Sequence, residues 1–297
     1  MSSRYILIVN SRKVTKPVFV LGAPHSGVAE VGQALKLSPS FHVTIGQSAV
    51  LQAVHAFARR PSLYHGHGTA ALSVIRDAFA QAWQVNSASC VQCAPQCRSA
   101  AGLSAGEVGP CADVRGLARY GDASPDLAYC AEELIAAFPD AQIVQVVRDG
   151  RDVAAEMLAD PAIMSWFRPS VANIDAEFPN PFYGVEDEVD RSSWKDASSA
   201  GKCALRWRWA IRQAARLRQA TPDGQLKTLR YEDMVRSPGA AAAALSEFTG
   251  AKIAAPVAPA NRKARGDTAS WRRTLAISQV ADIEKVAGEE LRRLGYL

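Results

Sequence analysis

The segment from Lys16 to Leu37 constrains the fold more than any other part of the chain. It opens with an apolar, β-branched run that ends at Leu21, a pattern typical of a buried parallel strand. The loop Gly22-Ala-Pro-His-Ser-Gly27 follows, and the residues from Val28 to Leu37 have a helical pattern. Because loop N–H groups and a helix N-terminus both face an anion in such a unit, the segment predicts a phosphate-binding loop.

Strand and helix patterns alternate along the rest of the chain. Ile143–Val147 and Leu226–Tyr231 are further strand candidates, whereas Asp126–Phe138 and Ser278–Leu294 are helix candidates. Such alternation predicts an α/β fold, namely a P-loop-like parallel β-sheet flanked by helices on both faces. No linker divides the sequence, so residues 1–297 are expected to form a single domain.

Three stretches interrupt this alternation. Residues 86–118 are rich in Ser, Gly, Ala and Cys without periodicity, and they are predicted to be an insertion. Residues 160–200 carry four prolines and several acidic residues, which predicts a long, partly irregular excursion on the substrate side. The glycine-flanked residues 64–68, between helical patterns, are predicted to be a loop.

The composition is that of an ordinary globular protein, with 48% apolar and 21% charged residues. The net charge of +5 fits a polyanionic ligand such as a nucleotide but does not call for nucleic acid. The apolar run Tyr5–Val9 is too short for a signal peptide or a membrane span. A cytoplasmic protein is therefore expected.

The glycine spacing of the loop matches a Walker A motif, but the two residues after it do not. Val28 and Ala29 stand where a nucleoside-triphosphate-binding loop carries Lys and Ser or Thr. This disfavours an ordinary ATPase or GTPase. A kinase or another phosphoryl transferase with a related loop remains a lower-ranked alternative.

Three segments resemble sulfotransferases that use 3′-phosphoadenosine 5′-phosphosulfate, in particular the bacterial, tyrosylprotein-sulfotransferase-like branch. The loop Gly22–Gly27 is similar to the family's phosphosulfate loop, Gly-x-Pro-(Arg or Lys)-Ser-Gly-Thr-Thr. Residues 143–157 resemble the strand-turn-helix segment whose arginine and serine bind the 3′-phosphate, with Arg148 at the arginine position and Glu156 at the serine position. Residues 261–271 resemble the basic loop that closes over the same phosphate.

The resemblance extends from residue 17 to residue 297. Within this span, Arg230–Pro238 also matches the family's Tyr-Glu-Asp segment. It implies the sulfotransferase fold, the phosphosulfate nucleotide as donor and 3′-phosphoadenosine 5′-phosphate as product. The acceptor would be a hydroxyl or amine of a small metabolite, a carbohydrate or a peptide. The nucleotide-binding residues that it implies are Gly22, Pro24, His25, Ser26, Gly27, Val28, Ala29, Arg148, Glu156, Arg262, Lys263 and Gly266.

The chain departs from the family pattern at its most charged positions. His25 replaces the cation of the phosphosulfate loop, although a site holding phosphate charges favours the charged imidazolium, which still donates hydrogen bonds. Ala123 stands where bacterial members carry a lysine. The carboxylate of Glu156 repels a 3′-phosphate unless it is protonated or turns to pair with Arg151 or Arg262. These departures keep a second function open, that of a nucleotide-binding protein with lost catalysis or an altered donor.

Sulfuryl transfer also needs a base for the acceptor proton. Asp122 and His67 are the favoured candidates, ahead of His42, His55 and His65, so the predicted catalytic residues are His25, Asp122 and His67.

Four of the six cysteines, at positions 90, 93, 97 and 111, fall within 22 residues. Four thiolates are the number that a closed tetrahedral zinc site needs, so Cys90, Cys93, Cys97 and Cys111 are predicted to hold a structural zinc ion. Disulfides, unligated thiols and an iron–sulfur cluster remain the alternatives. The cluster is not part of the family pattern.

Overall fold

The computed structural model describes residues 5–60, 62–65, 68–91, 93–104, 106–168, 171–172, 174, 178–254 and 268–297. The strands are β1 Ile8–Val9, β2 Arg12–Lys13, β3 Val18–Gly22, β4 Phe41–Ile45, β5 Arg119–Ala123, β6 Gln142–Val147 and β7 Leu226–Arg230. The helices are α1 Val28–Lys36, α2 Ser48–Arg59, α3 Ser62–His65, α4 Gly68–Ala82, α5 Ser87–Cys90, α6 Pro95–Ala100, α7 Ala131–Ala137, α8 Gly150–Ala159, α9 Pro161–Ser165, α10 Glu188–Trp194, α11 Ser199–Ala220, α12 Tyr231–Arg236, α13 Pro238–Thr249, α14 Trp271–Thr274 and α15 Ile277–Arg293. Short 3₁₀ helices lie at Val114–Gly116, Pro125–Cys130 and Pro181–Tyr183.

Within these described ranges, five strands form one parallel sheet in the order β4-β5-β3-β6-β7. The connection that leaves β3 runs to β4 on one side, whereas the connection that leaves β6 runs to β7 on the other. In open parallel sheets, a crevice for ligands forms where neighbouring strands send their connections in opposite directions. The carboxyl ends of β3 and β6 are therefore the expected location of the site.

Helices cover both faces of the sheet. On one face α1 approaches so closely that a Cβ at Gly32 would lie 2.4 Å from the Cβ of Ala123. On the other face Phe79 of α4 and the adjacent Trp83 pack against Phe19 of β3, with ring centroids 5.0 and 6.2 Å away. The predicted α/β fold with a parallel sheet between two helical layers is confirmed.

Several boundaries differ from the sequence prediction. The segment predicted as one helix from Asp126 is a 3₁₀ helix, Pro125–Cys130, followed by α7. Residues 64 and 65 belong to α3 and Gly68 begins α4, so the predicted loop at 64–68 was wrong at these three positions. The edge strand β4 and its neighbour β5 had no prediction, because Gly121 and Asp122 weaken the strand pattern of β5.

The two irregular stretches contain short elements. Within residues 86–118 lie α5, α6 and one 3₁₀ helix, and within residues 160–200 lie α9, a 3₁₀ helix and α10. No helix among the described residues is long and apolar enough to cross a bilayer.

The start of α8 is fixed by close packing on α11. A Cβ at Gly150 would lie 2.6 Å from the fully buried ring of Trp207, whose Nε1 donates to the carbonyl of Arg148 at 3.0 Å. A glycine is therefore required at the first residue of this helix, immediately after the arginine that borders the crevice.

We expect Gly150→Ala to lower the free energy of unfolding by about 1–3 kcal/mol, because the added methyl group overlaps the indole of Trp207. The matched control is Gly239→Ala in α13, where a Cβ meets no atom within 4 Å and a neutral or slightly stabilising effect is expected. Chemical denaturation of both variants measures the difference. Equal stabilities of the two variants would contradict this account of the packing.

Candidate functional site

A cavity of about 600 Å³ opens at the carboxyl ends of the parallel strands. Its walls come from the loop after β3, the ends of β4 and β5, the residue after β6, and helices α2, α8, α9 and α11. Both apolar and ionisable side chains line it. The ionisable ones are His25, Glu30, His55, Asp126, Arg148, Glu156, Asp160, Arg206 and Tyr231.

The loop Gly22–Gly27 wraps around the N-terminus of α1, as the sequence predicts for a phosphate-binding loop. Gly27 has φ +103°, and a Cβ there would lie 2.6 Å from the ring of Tyr231. His25 itself adopts φ 60°, a left-handed conformation that is uncommon for a non-glycine residue. The close approach of Tyr231, and not the side chains of the loop itself, therefore shapes the backbone of this loop.

Glu30 lies in the first turn of α1, beside the loop, and sequence analysis did not identify it. Burial raises the pKa of this carboxyl group, and a hydrogen bond from its own backbone N–H opposes the shift. A carboxylate in the first turn of a helix satisfies N–H groups that would otherwise be available to an anion. Glu30 thus lies at the place where a bound phosphate would accept hydrogen bonds.

Arg148, the residue after β6, joins the separate parts of the site. Its Nη1 donates to the carbonyl of His25 at 2.8 Å, its Nη2 lies 2.7 Å from Oε1 of Glu156, and its guanidinium stacks on Tyr231 at 4.2 Å. Burial lowers the pKa of Arg148, but the charge and hydrogen bond of Glu156, together with Tyr231 and Asp152, outweigh burial, so the pKa is raised overall. The arginine is a fixed, buried cation next to the loop.

His25 lies between two carboxylates. Its Nδ1 is 3.5 Å from Oε2 of Glu156, and its Nε2 is 3.2 Å from Oδ2 of Asp160. Glu156 therefore contacts both His25 and Arg148, so it faces the site and is not turned away from it. Asp160 also caps α9 by accepting a hydrogen bond from the N–H of Ala162. Sequence analysis did not identify its contact with His25.

A second histidine–carboxylate pair lines the same cavity. Nε2 of His55 lies 2.8 Å from Oδ2 of Asp126, and the imidazole packs edge-on against Trp166 and Phe182. Because the carboxylate of Asp126 accepts a hydrogen bond from Nε2–H, the lone pair of a neutral His55 is on Nδ1. This pair is the arrangement in the cavity best suited to accept a proton from an acceptor.

Arg206 closes this side of the cavity from α11. Its side chain is 2% exposed, and it donates to the hydroxyl of Tyr129 while lying 3.9 Å from Asp126. Its Nη1 has no hydrogen-bond partner among the described residues. Sequence analysis placed this arginine in a helix but did not assign it to the site, because α11 carries several other arginines.

Asp122, one of the favoured bases, lies inside the sheet and away from the cavity. It is in register with Thr44 of β4 and Phe19 of β3, so it shares their face, while its neighbour Ala123 faces α1 and lines the cavity. Thr44 donates a hydrogen bond to it, and its side chain is fully buried. This placement argues against Asp122 as the base.

The remaining predicted residues divide into two groups. His42 is fully buried in β4 and does not border the cavity. Burial lowers its pKa to about 4, so the imidazole is neutral. His67, Arg262, Lys263 and Gly266 lie outside the described residues, as does the side chain of His65.

The segment that follows residues 261–267 is held at the start of α8. Asp152 accepts hydrogen bonds from the N–H groups of Ala269 and Trp271 at 2.8 and 2.9 Å, and from the hydroxyl of Ser270 at 3.0 Å. Asp152 lies four residues after Arg148. The downstream end of the basic loop is therefore anchored near the arginine of the site.

Comparison with known proteins identifies the family. The model of the sulfotransferase family matches residues 17–179, more than half of the 297-residue chain. The chain belongs to the sulfotransferase family, as the sequence motifs predict. No curated protein matches the sequence.

The chain is also similar to several solved structures that are described as sulfotransferases. The sulfotransferase domain of the Synechococcus PCC 7002 olefin synthase is 11% identical over 98% of this chain and 97% of its own, with a TM-score of 0.49. A sulfotransferase from Alicyclobacillus acidocaldarius is 17% identical over 95% of each chain, with a TM-score of 0.48. Sulfotransferase STF9 from Mycobacterium avium is 14% identical over 96% of this chain and 78% of its own, with a TM-score of 0.45.

The buried carboxyl group of Asp122 makes stability depend on pH. Burial raises its pKa to about 8, and the hydrogen bond from Thr44 opposes the shift only in part. In the unfolded chain an aspartate ionises near pH ~4, so between about pH 4 and 8 the folded state binds more protons. Stability that is present below pH ~4 is therefore lost as pH rises to about 8.

We expect Asp122→Asn to remove this loss, because the amide has no proton to release. As pH rises from about 5 to 8, the free energy of unfolding of the variant should increase relative to that of the wild type. Urea denaturation measures both values. Asp223→Asn, at an exposed carboxylate before β7, is the matched control. Parallel pH profiles for wild type and Asp122→Asn would contradict the burial of an ionisable carboxyl group there.

Proposed function

We propose that the protein transfers a sulfuryl group from 3′-phosphoadenosine 5′-phosphosulfate to a hydroxyl or amine acceptor. The observation that carries the proposal is the meeting of the Gly22–Gly27 loop and Arg148 in one cavity, where Arg148 binds the loop carbonyl at 2.8 Å. A loop that offers backbone N–H groups suits the phosphosulfate, and a buried arginine suits a second phosphate. Family membership supports the reaction class.

The backbone of the loop and of α1 can hold the 5′ end of the donor. A Cβ at Gly22 would lie 2.5 Å from Oγ of Ser26, so the loop is closely wound and its side chains leave the outer face to the ligand. Oγ of Ser26 is buried without a partner among the described residues. Val28 and Ala29 supply only their N–H groups, so we expect weaker donor binding than two hydroxyl-bearing residues would give.

The 3′-phosphate would replace Glu156 as the partner of Arg148. This carboxylate lies 2.7 Å from the guanidinium and offers two oxygens to cations, as a phosphate does. Donor binding then requires Glu156 to release Arg148. Competition between Glu156 and the phosphate lowers the affinity for the donor.

His25 would serve the bridging oxygen between phosphate and sulfur. Its ring nitrogens lie 3.5 Å from Glu156 and 3.2 Å from Asp160, and an N–H of the imidazole can donate to the leaving phosphate oxygen once Glu156 has moved. During transfer the acceptor oxygen forms a bond to sulfur while the bond from sulfur to the bridging oxygen breaks, and that electron pair stays on the phosphate. His25 stabilises the charge that develops on this oxygen.

His55 is our candidate for the base, in place of Asp122. Asp126 holds the imidazole through Nε2, which leaves Nδ1 free to take the proton of the acceptor as the new bond to sulfur forms. His67 remains the alternative base. The apolar side chains of Leu51, Ile163, Trp166 and Phe182 surround this end of the cavity and favour an acceptor that presents an apolar or aromatic surface beside its hydroxyl or amine.

One observation favours a second candidate function. Glu156 contacts both side chains that we assign to the donor, Arg148 and His25, so a carboxylate already occupies them. If the nucleotide does not displace it, the protein is a sulfotransferase-fold protein with lost catalysis or an altered donor. Titration with 3′-phosphoadenosine 5′-phosphate separates these functions, because binding without transfer to any acceptor class supports the second.

We expect Glu156→Ser to bind 3′-phosphoadenosine 5′-phosphate about tenfold more tightly than the wild type, because it removes a competing carboxylate and supplies a hydroxyl. Glu156→Gln keeps the shape without the charge and should give most of this gain. Glu289→Ser, at an exposed position of α15, is the control that should leave the affinity unchanged. Isothermal titration calorimetry gives the dissociation constants. Absence of binding by wild type and Glu156→Ser alike would overturn the proposed donor.

We expect His55→Gln to lower kcat for sulfuryl transfer at least about 100-fold with little change in nucleotide affinity, because it removes only the proton acceptor. Asp126→Asn should lower kcat less, since it disturbs the orientation of the imidazole but leaves the nitrogen in place. His67→Gln is the comparison, and it should retain activity. The reverse result, with His67→Gln inactive and His55→Gln active, would assign the base to His67.

A further inference from the structure

The four clustered cysteines meet although they lie on different short elements. Cys90 ends α5, Cys93 follows it, Cys97 is in α6, and Cys111 precedes the 3₁₀ helix Val114–Gly116. All four side chains are buried, and none is in a disulfide. The sulfur atoms of Cys90, Cys93 and Cys111 lie within 4.8 Å of one another, and Cys97 contacts the sulfurs of Cys93 and Cys111.

The spacing of the sulfur atoms matches one ion and not a cluster of ions. Sγ of Cys90 and Sγ of Cys111 are 3.4 Å apart. Zinc–sulfur bonds of about 2.3 Å in a tetrahedron place the sulfurs about 3.8 Å apart, close to this separation. An iron–sulfur cluster puts several irons and sulfides between its cysteines, so it needs sulfur atoms that are farther apart.

The surroundings of the sulfurs suit thiolates bound to a cation. The N–H of Cys111 donates to Sγ of Cys90 at 3.3 Å, the kind of outer hydrogen bond that orients a metal ligand. The ammonium group of Lys36, 9% exposed at the end of α1, contacts Cys97 and donates to the carbonyl of Val43. Four thiolates with one divalent ion carry a net charge of about −2, which this buried ammonium partly offsets.

The described part of the insertion is also held by hydrogen bonds from one arginine. Arg98 binds the carbonyls of Cys90, Ser104 and Glu107, so it closes the segment between Cys97 and Cys111 through its backbone. The helices α5 and α6 have four and six residues, too short to be stable without an external constraint. The cysteine cluster is the shared core of this segment.

We propose that Cys90, Cys93, Cys97 and Cys111 bind one structural zinc ion in a closed tetrahedral site. Four protein ligands leave no open position, so the ion takes no part in the chemistry of the cavity. This inference does not rest on the proposed function, because the metal site would exist with or without a sulfuryl donor.

The site connects the insertion to the wall of the cavity. Ala94, between two of the ligands, lies against Gly46, and its Cβ is 4.0 Å from where a Cβ of Gly46 would stand. Gly46 borders the cavity directly after β4. Lys36 ends the helix whose N-terminus carries the phosphate-binding loop. Loss of the ion therefore loosens the acceptor side of the cavity without removing a group that contacts the donor.

Metal analysis of the wild-type protein, purified without added metal and without nucleotide, tests the proposal directly. We expect about one zinc per chain and no stoichiometric iron. Replacement of zinc by Co²⁺ should give the strong near-ultraviolet charge-transfer absorption of cobalt bound to thiolates. Iron in place of zinc, or no metal together with no cobalt–thiolate band after reconstitution, would overturn it.

Substitutions identify the ligands. Cys97→Ser and Cys111→Ser should each reduce the zinc content at least about tenfold or lower the melting temperature until zinc is added in excess. Cys130→Ser, at a buried cysteine outside the cluster, is the matched control and should retain one zinc per chain. Full zinc content in the Cys97 and Cys111 variants would exclude them as ligands, whereas failure of nucleotide binding would leave the metal result unaffected.

Discussion

The buried guanidinium of Arg148 is the interaction on which the site depends. It leaves the sheet at the end of β6, binds the carbonyl of His25 in the loop after β3, and stacks on Tyr231 at the end of β7. One side chain thereby connects the ends of three parallel strands. A buried arginine needs a counter-charge, and Glu156 provides it where a bound nucleotide would otherwise place a phosphate. The departure from the family pattern at position 156 therefore has a structural explanation.

The cavity has two halves with different chemistry. One half lies beside the Gly22–Gly27 loop and contains the buried guanidinium of Arg148, which pairs with Glu156. The other half is apolar, with aromatic rings around the pair formed by His55 and Asp126. The sulfuryl transfer that we propose uses both halves, the first for the leaving phosphate and the second for the proton of the acceptor. The cysteine insertion lies behind the wall at Gly46, outside both halves.

Local patterns predicted most of the fold. The apolar runs of β3 and β6, the glycine loop and the long helices α11 and α15 each depend on neighbouring residues, so their sequence patterns were sufficient. The helix predicted to begin at Asp126 starts instead as the 3₁₀ helix Pro125–Cys130, and β4 and β5 were missed because their pairing depends on distant strands. Asp122 illustrates the same limit for the site. The sequence made it a candidate base, whereas the register of β5 places its side chain on the buried face that it shares with Phe19.

The sequence by itself determined the phosphate-binding loop, the family, the parallel sheet and the grouping of four cysteines. These follow from residues that are close together in the chain or that match motifs in a set order. Only the tertiary structure decided which charges meet, since His25 comes from the loop after β3 whereas Glu156 and Asp160 come from the end of α8. It likewise placed His55 at the cavity and Asp122 in the buried sheet, because burial and side-chain direction depend on how strands and helices pack. The physical reason is that an ion pair or a base is defined by distances of a few ångströms, which separation along the chain does not specify.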